Sequence, residues 1–169
     1  MRITSKTLYK DFAPLEPYIS EEEKKRLQDA VVSEKFGKNG MWDMKIGDFV
    51  KCCNGDVSPL VEDVSKADRV ADIYVLRAFS SFVEEFIKVV ENVTPKPTSD
   101  EIRAQKTCLK VSVAEGILLF VREYFSLHSF GEAENLPLSD YLIAKKDNYN
   151  KVMAQREYAK IQNEKIKSK

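Results

Sequence analysis

The sequence predicts a mainly α-helical fold: a compact bundle of four to five helices between residues 20 and 153. Five times, directly before a helix-like run, a Ser or Thr precedes an acidic residue by three positions, which is the spacing of a helix-capping box. One of these signals precedes a long apolar stripe at helical spacing, whereas the alternating pattern of a β-strand is nearly absent. The chain has 169 residues, of which 43% are hydrophobic and 32% charged, so it can bury one core.

The N-terminal segment differs from the rest because it carries no helical pattern. Residues 1–19 contain two prolines, and we expect them to form an extended arm. The first capping box then begins at Ser20, and the helix that follows should end near Phe36, before a glycine. Its apolar stripe is narrow, so we expect this helix to lie on the surface.

The strongest helical pattern follows Ser65. Its apolar residues recur at steps of four and three and form one continuous face, while acidic and basic residues mark the other side. The pattern ends before two prolines, which do not allow the helix to continue. We predict that this helix is the centre of the core. Its buried face should run along Val75, Phe79, Phe82, Phe86, Val89 and Val93 and be widened by Leu76, Val83, Ile87 and Val90.

Further helices are predicted after Thr98, Ser112 and Ser129, and a last one from Ser139 almost to Lys169. The final part of this last helix is polar and gains little from a core, so it should project from the bundle. The chain is therefore predicted to have an arm (1–19), a helical domain (20–153) and a basic helical tail (154–169).

Composition excludes several classes of protein. The 27 basic and 27 acidic residues cancel, so the overall charge indicates neither a nucleic-acid nor a membrane partner. Three cysteines are too few for a disulfide framework, and the N-terminal segment lacks the apolar stretch of a secretory signal. The longest apolar run is far shorter than the roughly 20 residues that span a bilayer. We therefore expect a soluble, intracellular protein, at least where it is made.

No group of residues predicts a chemical reaction. His128, the only histidine, is placed by the pattern at the end of an apolar helical stripe, where a structural role is expected. Cys52 and Cys53 are adjacent and Cys108 is distant, which is not the spacing of a zinc site. Neither a phosphate-binding loop nor a nucleophile–base pair is recognisable. We therefore expect no enzyme, and no catalytic, cofactor-binding or metal-binding residue.

The basic tail is the remaining functional signal. From Lys145 to Lys169, eight basic residues stand against three acidic ones, a net charge of +5 that the rest of the chain balances. Such a segment could follow a phosphate backbone, which makes a nucleic-acid-associated protein the alternative function. The basic residues are not confined to one face and acids are interspersed, which favours docking onto an acidic protein surface.

One segment has a family resemblance. Residues 41–52, "MWDMKIGDFVKC", resemble the opening of small tailed-bacteriophage proteins of the tail-assembly-chaperone and connector-accessory type. In that group an aromatic or acidic residue precedes an apolar-Gly-x-Phe/Tyr segment. The resemblance implies a structural or assembly role in a phage particle, with other phage subunits as partners. It also implies a protein made in the cytoplasm of the host cell and, where it is retained in a particle, part of the virion. Trp42, Ile46 and Phe49 fall at helical steps and should share one helical turn as core or interface residues.

These observations favour a non-enzymatic structural or assembly protein of a bacteriophage particle, which docks onto partner subunits through its arm and its C-terminal helix. The residues predicted to contact a partner are apolar anchors and basic groups in two segments: Trp42, Phe49, Arg156, Tyr158, Ile161, Lys165 and Ile166.

Overall fold

A computed structural model describes residues 7–62, 69–105 and 111–167, and every regular element within these ranges is helical. The mainly α fold is therefore confirmed. Two short 3₁₀ turns, Glu16–Tyr18 and Gly40–Asp43, accompany eight α-helices in the described part of the chain. In chain order the helices are α1 (Tyr9–Phe12), α2 (Glu21–Phe36), α3 (Ile46–Cys53), α4 (Val70–Asn92), α5 (Ser99–Gln105), α6 (Val113–Tyr124), α7 (Phe130–Glu134) and α8 (Leu138–Lys167).

The predicted caps start most of the helices to which they were assigned. Ser20 and Ser112 form complete capping boxes with the acids three residues later. Thr98 makes the same two hydrogen bonds at α5. Ser129 caps α7 by accepting a hydrogen bond from the Glu132 N–H. The Glu132 carboxylate accepts from the N–H of His128, and not from that of Ser129 as in a complete capping box. Ser65, the fifth predicted cap, lies outside the described residues.

Helix α4 forms the centre of the core, as its stripe predicts. Val75, Phe79, Phe82 and Phe86 are all buried. The predicted face is larger than the buried one, because Val89 and Val93 near the end of the helix are only half-buried. Ile87, which was predicted to widen this face, is 50% exposed, so that part of the prediction is wrong. Helix α2 packs on α4 with its narrow stripe and exposes its charged side, as expected of a surface helix.

The segment that resembles phage proteins contributes to this core, but not as one helical turn. Trp42 lies in the 3₁₀ turn, and Ile46 begins α3. The chain is extended between them, because the Met44 carbonyl accepts from the Leu138 N–H (2.9 Å) and the Ile46 N–H donates to the Leu136 carbonyl (2.8 Å). This pairing fixes the start of α8 beside α3, and the prediction of a shared turn is wrong.

Residues 7–19 are not an extended arm, contrary to the prediction. They form α1 and a 3₁₀ turn, and Phe12 is fully buried against Val70 and Tyr74 of α4. The Phe12 and Tyr74 rings meet edge to face, with centroids 5.9 Å apart. Pro14 follows α1 and Pro17 lies within the 3₁₀ turn, and neither prevents the chain from lying against α4. We call residues 7–19 the N-terminal strap.

A polar cluster holds the strap beside this apolar contact. The Glu16 carboxylate accepts hydrogen bonds from the hydroxyls of Tyr9 (2.6 Å) and Tyr74 (3.2 Å) and from the Arg77 guanidinium. Burial raises the pKa of Glu16, but the hydrogen bonds from Arg77 and the tyrosines outweigh it and leave the pKa below its usual value. The ionised form of Glu16 therefore stabilises the docked strap.

This lowered pKa predicts how acid acts on the Glu16→Gln variant. A carboxyl whose pKa is lowered by folding stabilises the fold above its usual pKa, here 4.5, and loses that contribution as the pH falls through the folded-state value. The variant should be less stable than the parent at pH 7, and the difference should shrink progressively below pH 4.5. Urea unfolding of both proteins across this range measures it. A difference that stays constant with pH would contradict the role given to the carboxylate.

Two glycines in helices predict opposite outcomes on substitution by alanine. A Cβ at Gly47 of α3 would lie 2.9 Å from the Glu134 Cβ and 3.3 Å from its backbone carbonyl, so α3 and α7 would have to separate. At Gly116 of α6 the nearest atom would be 3.9 Å away. Gly116→Ala should stabilise the protein by about 0.5–1 kcal/mol through helix propensity. Gly47→Ala should destabilise it by about 1–3 kcal/mol, as overpacking does. Thermal unfolding of the two variants checks both signs.

Candidate functional site

Helix α8 is the longest described element and changes character along its length. Its first part packs into the bundle through Leu138, Tyr141 and Ala144, all of which are buried. Beyond Met153 the helix continues to Lys167, yet none of residues 154–166 is buried. At 1.5 Å per residue, this second part extends α8 by about 20 Å. The projecting C-terminal helix of the predicted fold is thus present.

One contact ties the projecting part of α8 to the bundle. The Arg156 guanidinium donates to the Lys96 carbonyl (2.9 Å) and to both carboxylate oxygens of Glu101 (2.8 and 3.1 Å) on α5. Hydrogen bonds from Thr98, the cap of α5, lower the pKa of Glu101, and Arg156 lowers it further. Arg156 is therefore an internal anchor of the helix, which is not the partner contact that the sequence predicted.

The apolar residues of the tail are exposed. Tyr158 is 65%, Ile161 41% and Ile166 72% exposed. With about 100° per residue, Tyr158 lies roughly 200° around the helix from Arg156, so it faces away from α5. Ile161 lies on the same side as Tyr158, whereas Ile166 is displaced by about 140° from Ile161. Tyr158 and Ile161 thus form the exposed apolar part of one face.

The two partner-contact candidates outside the tail belong to the core. Phe49 is only 2% exposed, and its ring centroid lies 4.6 Å from that of Phe86. Trp42 is half-buried and meets the Phe82 ring edge to face at 5.0 Å. Phe49 is therefore not accessible to a partner, and the prediction that it contacts one is wrong. The sequence left both core and interface roles open for these residues, and the packing selects the core.

Several basic residues of α8 are already engaged within the chain. The Lys145 ammonium lies 4.3 Å from the centroid of the Phe120 ring, and burial lowers its pKa. The Lys151 ammonium pairs with Asp147 at 2.6 Å. Together with Arg156, these groups are three of the eight basic residues between Lys145 and Lys169. Lys165, the remaining basic candidate, is exposed near the end of the helix.

His128 does not extend the apolar stripe of α6. That helix ends at Tyr124, and His128 lies in the following connection with its side chain exposed. Its backbone N–H donates to the Glu132 carboxylate (3.1 Å). The prediction that His128 continues this stripe is wrong. It assumed that the helix extends from Tyr124 to His128, whereas α6 ends at Tyr124, one turn earlier.

The two cysteines of α3 differ in their burial. Cys52 is buried, and burial raises the pKa of its thiol to about 11. Cys53 is exposed on the other side of α3, and Cys108 lies outside the described residues. Within ranges 7–62, 69–105 and 111–167, no three His, Cys, Asp or Glu side chains are grouped closely enough to hold a metal ion. None of the helices described is long and apolar enough to cross a membrane.

Comparisons with protein-family models, with curated proteins and with solved structures found no match to this chain. The exposed face of α8 is therefore the candidate functional surface of the chain.

Proposed function

We propose that this chain is a non-enzymatic structural or assembly protein that docks onto protein subunits through the projecting half of α8. The observation that carries the proposal is that α8 continues beyond Met153, that none of residues 154–166 is buried, and that Tyr158 and Ile161 are exposed. A polar helix of this length is marginal in water on its own, and apolar anchors on it are best stabilised by a surface of another subunit.

The setting we propose is a bacteriophage particle, and the resemblance of residues 41–52 is its only support. The genes beside the coding sequence test this setting independently of the docking surface. Genes for portal, capsid and tail proteins are expected there, and a neighbourhood of metabolic genes would contradict the setting.

Truncation after Met153 tests the docking function. Residues 154–166 contribute no buried side chain, and the Arg156–Glu101 pair is partly exposed and screened by water, so its loss should change stability little. The melting temperature should therefore fall by only a few degrees. Incorporation into the native complex, measured by co-purification from the source cells, should be lost.

A double variant separates the docking face from the anchor. Tyr158→Asp with Ile161→Asp should abolish incorporation and leave the melting temperature unchanged, whereas Arg156→Ala should retain incorporation. Unfolding of the bundle on truncation would show that the tail belongs to the core. Tight binding of duplex DNA that weakens steeply with salt, by roughly 0.9 log units per log unit of salt for each phosphate contact, would favour the nucleic-acid alternative.

A further inference from the structure

The exposed face of α8 is continuous along both halves of the helix. Ile143 in the packed half is 62% exposed, and Ile161 lies 18 residues, or about five turns, further along the same line. Asn150 and Ala154 lie within about 20° of this line, and Tyr158 lies within about 60° of it. All of them are exposed, and Ile143 also lies beside Trp42 at the edge of the bundle. We call this set the α8 stripe.

One flank of the α8 stripe has opposite charges at its two ends. Lys146 lies about 60° to one side of the line that joins Ile143 and Ile161 along the helix. Glu157 and Glu164 lie 40–60° to the same side of this line, more than two turns further towards the end of α8. All three side chains are exposed. On the other flank, Asp147 and Lys151 already pair with each other. Within about 60° of the line, the first flank is therefore basic towards the start of α8 and acidic towards its end, while Lys160 lies further round the helix, about 100° from the line.

The charges of this flank are complementary to those of the same flank on a second, antiparallel copy of the helix. In an antiparallel pair of identical helices, equivalent flanks face each other, and the start of one helix meets the end of the other. In a parallel pair, Lys146 and Glu157 would stay about 16 Å apart along the axis. The chain as a whole has no net charge, so two copies do not repel each other at long range.

We propose that the partner of the α8 stripe is a second copy of this chain, bound antiparallel about a two-fold axis near residue 152. In this register Ile143 lies opposite Ile161 of the second copy, and Asn150 lies opposite Ala154. Lys146 lies beside Glu157 of the second copy and within side-chain reach of Glu164. The small residues at the centre let the helices approach closely, and the isoleucines close the two ends.

This inference rests on the proposed function, because it names the subunit onto which α8 docks. The overlap of residues 143–161 is about 27 Å long. A single helix pair of this length falls at the small end of specific interfaces, which bury roughly 800 Å² per partner. The dimer should therefore be weak, so that it forms at high protein concentration and dissociates on dilution.

Sedimentation of the full chain from low to high micromolar concentration tests the pairing. The parent protein should shift from one chain to two, whereas Ile161→Asp should remain a single chain throughout. Ile87→Asp is the matched control, because Ile87 is 50% exposed on the outer side of α4, and it should dimerise like the parent. A parent protein that stays a single chain at every concentration, or an Ile161→Asp variant that dimerises normally, overturns the inference.

Charge reversal tests the direction. Lys146→Glu alone, and Glu157→Lys with Glu164→Lys, should each weaken self-association about tenfold, since two symmetry-related contacts become repulsive. A mixture of the two variants should form a mixed pair with the affinity of the parent, because every contact is then between opposite charges. A mixed pair no stronger than either variant alone overturns the antiparallel arrangement.

The two proposals fail separately. If the parent protein is a single chain but Tyr158→Asp with Ile161→Asp still abolishes incorporation into the native complex, α8 docks onto a different subunit and only the second-copy inference is overturned. If that double variant incorporates normally, the docking function itself is wrong, whatever the sedimentation result.

Discussion

Replacing Phe82 by Ala is expected to lower the free energy of unfolding by about 3–5 kcal/mol. Phe82 is 7% exposed, and its ring contacts the rings of Trp42, Phe49 and Phe86, with centroids 5.0–6.2 Å apart. Truncation removes these contacts and leaves a cavity between α3, α4 and the turn that carries Trp42. Urea unfolding measures the change through the shift of the midpoint at constant slope.

A residue one turn away on the other side of α4 provides the control. Ile87 is 50% exposed, so Ile87→Ala leaves no cavity and should cost about 1 kcal/mol or less. Glu84→Ala, on the charged side of the helix, should change stability by less than about 0.5 kcal/mol. Equal effects at Phe82 and at these positions would show that the aromatic stripe of α4 is not the centre of the core.

Replacing Phe12 by Ala is expected to have the second-largest effect, about 3 kcal/mol. Phe12 is fully buried between the strap and α4, so its removal takes away the apolar contact that docks residues 7–19. Loss of the strap also uncovers Val70 and Tyr74. The variant should therefore become sensitive to protease within the strap while the rest of the bundle resists cleavage.

Tyr18→Ala is the matched control within the strap, since Tyr18 is 88% exposed and its truncation should leave stability within about 0.5 kcal/mol of the parent.

Combining Phe12→Ala with Tyr74→Ala should cost less than the sum of the single changes, because the two rings stabilise each other. Strictly additive effects would contradict the contact between strap and helix.

The elements that the sequence predicts correctly are those determined by local signals. Ser20 and Ser112 satisfy the first backbone N–H groups of their own helices, so their effect does not depend on the rest of the chain. The stripe of α4 is likewise a property of one segment, and any core against which the helix packs will cover it. Both features are readable without knowing the partners.

The errors arise where distant segments decide the local structure. The strap is ordered by Glu16 and Arg77, which lie 61 positions apart, and nothing near residue 16 indicates this pairing. The break between Trp42 and Ile46 is caused by backbone pairing with Leu136 and Leu138. Helical spacing alone predicted a continuous turn there, because it contains no information about the segment that competes for the same hydrogen bonds.

The candidate site was predicted in part. The polar character of residues 154–169 correctly indicated a helix that projects from the bundle, and Tyr158 and Ile161 are exposed as expected. Arg156 was misassigned because its partner Glu101 belongs to another helix. Ile143 was missed, although its spacing of 18 residues from Ile161 is visible in the sequence. Only the packing of Leu138, Tyr141 and Ala144 shows which side of α8 remains exposed.

Hydrogen exchange along α8 tests most directly whether its projecting half is a docking surface. Amides of residues 154–167 should exchange rapidly in the dilute chain, because no buried side chain holds this part of the helix, while those of α4 should be strongly protected. In the native complex the same amides of α8 should become protected. Protection equal to that of α4 in the dilute chain, or no gain of protection in the complex, would contradict the account.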